Sequence, residues 1–224
     1  PDGLKVGFGS ATGAPPASTS GTVAMARTGT PATTNDACAA LPAGSLTGKV
    51  ALIRRGTCTF AIKAGNAQAA GAVGVVLYNN TSGRVSITVA GGGIVIPVVA
   101  ITAADGVEIN NRLAAGPVSL TWTAEVGSFF NPTGGLISNF SSYGLSPDLT
   151  LKPDIAAPGG LIYSTFPLEQ GGYATLSGTS MSSPHVAGSV ALFLQARGNQ
   201  VTPEYIRNVF QNSADPVAWW GNPT

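Results

Sequence analysis

An α/β fold in two parts is what these 224 residues predict. Three observations carry that reading: a strand, helix, strand alternation of apolar segments between residues 48 and 80, two strongly marked helices closing the sequence, and a change of pattern near residue 125. Residues 1–125 read as a small domain of strands with two helices. Residues 126–224 read as loops and short strands leading into two more helices.

"GKVALIRRG" (48–56) predicts a strand, "AIKAGNAQAAGA" (61–72) an Ala-rich helix and "VGVVLYNN" (73–80) a second strand running into a turn. A further strand is expected at "GIVIPVVAIT" (93–102). The helix "AADGVEINNRLAAG" (103–116) has Thr102 to cap it, Asp105 in its first turn, and Gly116 with Pro117 to stop it. "VSLTWTAEV" (118–126) alternates as one more strand. Beyond it Pro132, Pro147, Pro153 and Pro158 punctuate a loop-rich stretch. "SSPHVAGSVALFLQARG" (182–198) carries Val186, Val190, Leu192, Phe193 and Leu194 and ends at Gly198, the pattern of a buried helix. "TPEYIRNVFQNSA" (202–214) has Thr202 as N-cap, Pro203 at the first helical position and Glu204 in the first turn.

Charge excludes several classes of partner. Only 9% of residues are charged and the formal net charge is +1, with no run of like charges. No electrostatic footprint for nucleic acid or an anionic membrane exists. The longest apolar stretch, "IVIPVVAI" from Ile94, is broken by Pro97 and falls far short of the ~20 residues a membrane helix needs. Asp and Glu never take calcium-loop spacing, and two cysteines match no zinc pattern, so no metal and no cofactor are expected. Cys38 and Cys58 are either bridged or two reduced core thiols; low charge and abundant Ser and Thr favour the bridge and an oxidising compartment. Asn79 and Asn80 open sequons through Thr81 and Ser82, candidate glycosylation sites in a secreted eukaryotic setting. "PDGLKVGFGS" has neither an initiator Met nor a signal pattern, which reads as a chain that begins within a larger protein.

"SGTSMSSPHVAG" (177–188) holds the chemistry: Ser180, and five residues later His185, the only histidine of the chain. A serine hydroxyl is a weak nucleophile at its own pKa and needs a base within hydrogen-bond reach and donors for an oxyanion. Ser180 sits at or just before a predicted helix N-terminus, where its own N–H points outward and the dipole favours negative charge. Gly178 and Thr179 supply the adjacent backbone, with Gly178 allowing close approach of a substrate. G-x-S-x-S argues against the α/β-hydrolase elbow, and a Ser before a helix is by itself merely a cap. Five helical residues turn about 500°, so His185 faces away from Ser180 and is a packed or hydrogen-bonded structural residue.

"LSGTSMSSPHVAGSVALFL" resembles the serine-nucleophile block of the subtilisin-like serine proteases, and "ISNFSSYG", "LKPDIAAPGG" and "TPEYIRNVFQNSA" are similar to segments around it, over roughly residues 127–215. "GKVALIRRGTCTFAIKAGNAQAAGAVGVVLYNN" resembles the protease-associated domain inserted in larger subtilases. The resemblance implies a protease-associated domain at 1–125, the C-terminal portion of a subtilisin-like α/β catalytic domain at 126–224, and Ser180 as nucleophile. It also implies a secreted, extracellular endopeptidase acting on proteins or peptides. In that family the triad runs Asp, His, Ser along the chain. The catalytic Asp, the His block and the oxyanion Asn would therefore lie in an N-terminal part that partners these residues, and this chain alone would be inactive. Asp154 is expected to be a loop hydrogen-bonder, and Trp219 and Trp220 to pack against that absent part. The alternative is a non-catalytic binding or structural protein that keeps a protease-associated domain and a degenerate protease remnant.

Overall fold

The structure, a computed structural model, describes residues 3–17, 21–28, 36–125, 127–128, 134–170, 172–198 and 200–219. Six strands make one sheet: β1 (Gly9–Ser10), β2 (Thr22–Arg27), β3 (Val50–Arg54), β4 (Gly74–Tyr78), β5 (Val98–Ile101) and β6 (Ser119–Thr121), in the spatial order β1-β5-β4-β3-β2-β6. The four central strands run parallel, Leu52 opposite Val76 and Val76 opposite Val99, while β1 and β6 lie antiparallel at the two edges.

Parallel neighbours need crossover connections, and one of these is a helix, while a second helix leads to the antiparallel edge strand β6. The first, α1 (Phe60–Ala69), joins β3 to β4, and α2 (Ala103–Ala115) follows β5. Strand residues alternate between two apolar layers. Ala51, Ile53, Val75, Leu77, Val98 and Ala100 pack with Ala64 and Ala67 of α1. Val50, Leu52, Val76, Tyr78, Val99 and Ile101 pack with Ile109 of α2 and with Trp122. With both faces covered, a central strand must be apolar at every position, which is why β3 and β4 read as continuous runs. Gly106 lets α2 approach the sheet: a Cβ there would lie 2.1 Å from Tyr78 Cβ.

Two strand expectations contract. "GIVIPVVAIT" becomes a strand only at Val98, because Pro97 brings no N–H to a ladder; its carbonyl instead accepts from Val75 N–H at 2.8 Å. "VSLTWTAEV" shrinks to Ser119–Thr121, set antiparallel against β2. β1 and β2 were not anticipated, the first having only two residues.

The chain divides into two compact units, residues 1–132 with 163–175, and residues 133–162 with 176–224. Past the sheet come β7 (Gly144–Leu145) antiparallel to β8 (Leu151–Lys152), and β9 (Ile162–Thr165) paired with β10 (Tyr173–Leu176). Two helices, α3 (Thr179–Arg197) and α4 (Pro203–Ser213), then close the sequence. The rings of Phe193 in α3 and of Tyr205 and Phe210 in α4 meet at centroid separations of 6.4 and 5.9 Å. The expectation of a buried α3 does not hold, since none of its side chains is buried. Its apolar residues lie on several faces, and α4 covers only part of one.

Candidate active site

α3 begins three residues earlier than its sequence pattern placed it, so Ser180 is the second residue of the helix. Gly178 is its N-cap, and no side chain caps it. Pro184 therefore falls inside the helix, where its missing N–H leaves the Ser180 carbonyl without the usual partner four residues on. First-turn amides have no acceptor within the helix, so the N–H groups of Thr179 and Ser180 are disposed to meet an external anion. Ser180 is exposed, and its Oγ has no hydrogen-bond partner among the described residues.

A second segment holds this turn. Gly178 N–H donates to Gly159 O at 2.8 Å, and Leu161 N–H donates to Ser177 Oγ at 2.8 Å. Leu161 has φ of 54°, a left-handed conformation uncommon for a branched side chain, and its amide is fixed by that serine. Gly159 is buried; a Cβ there would lie 2.1 Å from Ser182 Oγ and 2.9 Å from Gly178 O. Gly178 N–H is committed to Gly159 and Gly178 O accepts from Met181 N–H at 3.0 Å, which leaves the amides of Thr179 and Ser180 as the first-turn donors without an acceptor within the helix.

His185 is exposed rather than packed, and its Nδ1 is 3.0 Å from Met181 O, one turn back along the helix. Facing a carbonyl, that nitrogen carries the proton. It is the hydrogen-bonded structural histidine of the two forms foreseen. Asp154 accepts from Lys152 Nζ at 2.7 Å and lies 3.5 Å from Arg207 Nε, while its carbonyl accepts from Gln211 Nε2 at 3.1 Å. The lysine hydrogen bond, chiefly, and the charges of Lys152 and Arg207 hold its carboxyl below the ordinary carboxylate value. A cleft of about 470 Å³, lined by Ile155, Val186, Val190, Ile206 and Phe210 among others, opens between α3, α4 and the Asp154 loop, apart from Ser180. Trp219 packs edge-on against Tyr143 at 5.1 Å; Trp220 lies outside the described residues.

Elsewhere, Cys38 and Cys58 are disulfide-bonded with Cα atoms 5.6 Å apart. Asn79 is buried, its Nδ2 donating to Gly83 O at 3.1 Å and its Oδ1 accepting from Arg55 Nη1 at 3.1 Å. Asn80 is exposed. No group of three or more His, Cys, Asp or Glu among the described residues is placed to hold a metal ion. No described helix is long and apolar enough to cross a membrane.

A family model described as the subtilase family, Peptidase S8, matches residues 19–222. The chain is 40% identical over 174 residues to the minor extracellular protease Vpr of Bacillus subtilis, covering 75% of this chain and 21% of that protein. It is 35% identical over 189 residues to the PII-type proteinase of Lactococcus lactis subsp. cremoris, covering 76% and 10%. With the C5a peptidase of Streptococcus pyogenes serotype M3 it shares 40% identity over 145 residues, covering 65% and 12%. The chain thus spans about a fifth or less of the length of these relatives.

Proposed function

The chain belongs to the subtilase family, and from that premise we propose that it is the serine-bearing part of a secreted subtilisin-like endopeptidase, with a protease-associated domain over residues 1–125 and catalytic-domain residues over 126–224. Ser180 Oγ attacks the scissile carbonyl to form an acyl-enzyme. Its own amide, with that of Thr179, offers first-turn N–H groups to the oxyanion. The general base, the triad Asp and an oxyanion Asn come from the protein N-terminal to these residues. The observation that carries the reading is the placement of Ser180: exposed, in the first turn of α3, Oγ unengaged, on a turn latched by Gly159 and Ser177. His185, tied to Met181 O, has no part in proton transfer.

Fluorophosphonate labelling tests this. In the full-length protein the probe is expected on Ser180, and Ser180→Ala is expected to abolish both labelling and peptide hydrolysis, while His185→Gln keeps kcat within about threefold. The isolated 224 residues are expected to stay unlabelled and inactive. Absence of label on the full-length protein would favour a binding protein that retains a protease remnant; labelling of the isolated chain would sink the idea that the base lies elsewhere.

A further inference from the structure

Lys63, in the second turn of α1, is fully buried, an unusual place for an ammonium. Its Nζ donates to Asp36 O, lies 4.0 Å from Asp36 Oδ2 and reaches Cys38 Sγ at 3.3 Å. It has little room to move, since even a Cβ on Gly56 would come within 3.1 Å of Nζ. Cys38 Sγ has two more polar neighbours, the N–H of Cys58 at 3.2 Å and Thr57 Oγ1 at 3.7 Å. The bond is thus electrostatically lopsided: donors converge on one sulfur.

Thiol–disulfide exchange depends on which sulfur is attacked and on how well the other departs as a thiolate. From the convergence of Lys63, the Cys58 amide and Thr57 on one sulfur, we propose that Cys38–Cys58 is an exchange site of fixed polarity for small thiols, attacked at Cys58 Sγ and releasing Cys38 Sγ. The incoming thiolate forms a new S–S bond to Cys58, and the electron pair of the old bond leaves with Cys38. A second thiolate then attacks the thiol-derived sulfur of the mixed disulfide, freeing the Cys58 thiolate; two thiols become one disulfide and two electrons pass to the protein. Burial pulls the Lys63 pKa below its ordinary value, and the Asp36 carboxylate opposes that shift. The Cys38 thiolate would restore a second anion beside the ammonium. Asp36, whose Oδ1 accepts Cys38 N–H at 3.2 Å, is the carboxylate on this cluster among the described residues and acts against the thiolate.

Brief exposure of the whole chain to 2-mercaptoethanol, whose attacking thiolate carries no charge other than that on its sulfur, tests the polarity. After quenching with excess N-ethylmaleimide, peptide mass mapping reads which cysteine carries mercaptoethanol and which the maleimide. Mercaptoethanol on Cys58 with maleimide on Cys38 is expected to exceed the reverse by about tenfold, the scale of one charge-assisted hydrogen bond. Equal amounts, or an excess on Cys38, would overturn the proposal. Lys63→Met is expected to bring the ratio close to one and slow reduction several-fold; an unchanged ratio in a variant with native circular dichroism would also overturn it. The wild-type ratio decides on its own if that variant does not fold, and neither arm needs peptidase activity.

Discussion

Gly159 is the residue on which the geometry around Ser180 turns most sharply. Ser182 Oγ can rotate away from an added methyl group, but Gly178 O, 2.9 Å from it, is backbone and moves only with the helix start. Displacement of a nucleophile by about 1 Å costs on the order of 10² in rate. If the full-length protein works as proposed, Gly159→Ala is therefore expected to lower its kcat by about 10² with KM within about threefold, read from steady-state kinetics on a peptide substrate. A KM effect with unchanged kcat would show that the latch shapes binding instead. None of this latch was legible in the sequence, because Gly159 and Gly178 are separated by a hairpin and only the fold brings them together. Ser180 at a helix start was legible, since serine, glycine and helix start are adjacent in sequence, but by themselves they read only as a cap, and its proposed role as nucleophile comes from the resemblance of its segment to the subtilisin-like serine block.

At Asp148 a local hydrogen-bond cluster makes a pH prediction. Ser146 Oγ, first, and then Thr150 Oγ1 and N–H hold its carboxyl down to about 2. A depressed folded-state pKa means that the folded loop binds its proton less readily than the unfolded chain. Its contribution is present above the ordinary carboxylate value and is lost as pH falls through about 2. A carboxyl-carbon NMR titration of Asp148 is expected to show a midpoint near 2, moving up towards the ordinary value in Ser146→Ala. A wild-type midpoint near 4 would contradict the cluster.

Helix starts were the most legible elements, because a cap is a local event. Thr102 Oγ1 accepts from Asp105 N–H at 3.2 Å and donates to Asp105 Oδ2 at 2.6 Å, and Thr202 Oγ1 accepts from Tyr205 N–H at 3.2 Å. The start of α3 escaped because its cap is Gly178, with no side-chain bond to announce it. The strand ending at Ile101 was overextended because apolar content marks burial, whereas Pro97 decides pairing. The caps also differ in what they support. Ile109 ties α2 into the sheet's second apolar layer. Thr102→Ala is expected to destabilise the first unit by about 1 kcal/mol in urea unfolding. Thr202→Ala, in a helix without buried side chains, is expected to fray α4 and leave that unfolding midpoint unchanged.

Every buried apolar side chain among the described residues belongs to the first unit. In the second, Leu145, Leu149, Leu151 and Leu192 are between 65% and 75% exposed. Apolar burial is the dominant favourable term in folding, and local stability follows it. Hydrogen exchange on the 224-residue chain is therefore expected to separate the two units. Amides of β3, β4 and β5 should exchange only through global unfolding, while those of α3 and α4 exchange orders of magnitude faster despite their intrahelical hydrogen bonds. α3 has apolar side chains on several faces and none of them buried, with the rings of Tyr205 and Phe210 in α4 set against Phe193, so its helical bonds open without disturbing a core. Full-length protein supplies the comparison. If the remainder of the catalytic domain covers α3, its amides slow there to the rate of the sheet and the N-terminus of α3 becomes rigid enough to hold Ser180 for attack. Slow exchange of α3 in the 224-residue chain at all concentrations would instead mean that the helix is already covered. Slowing that grows with concentration would point to a second copy of this chain as the cover.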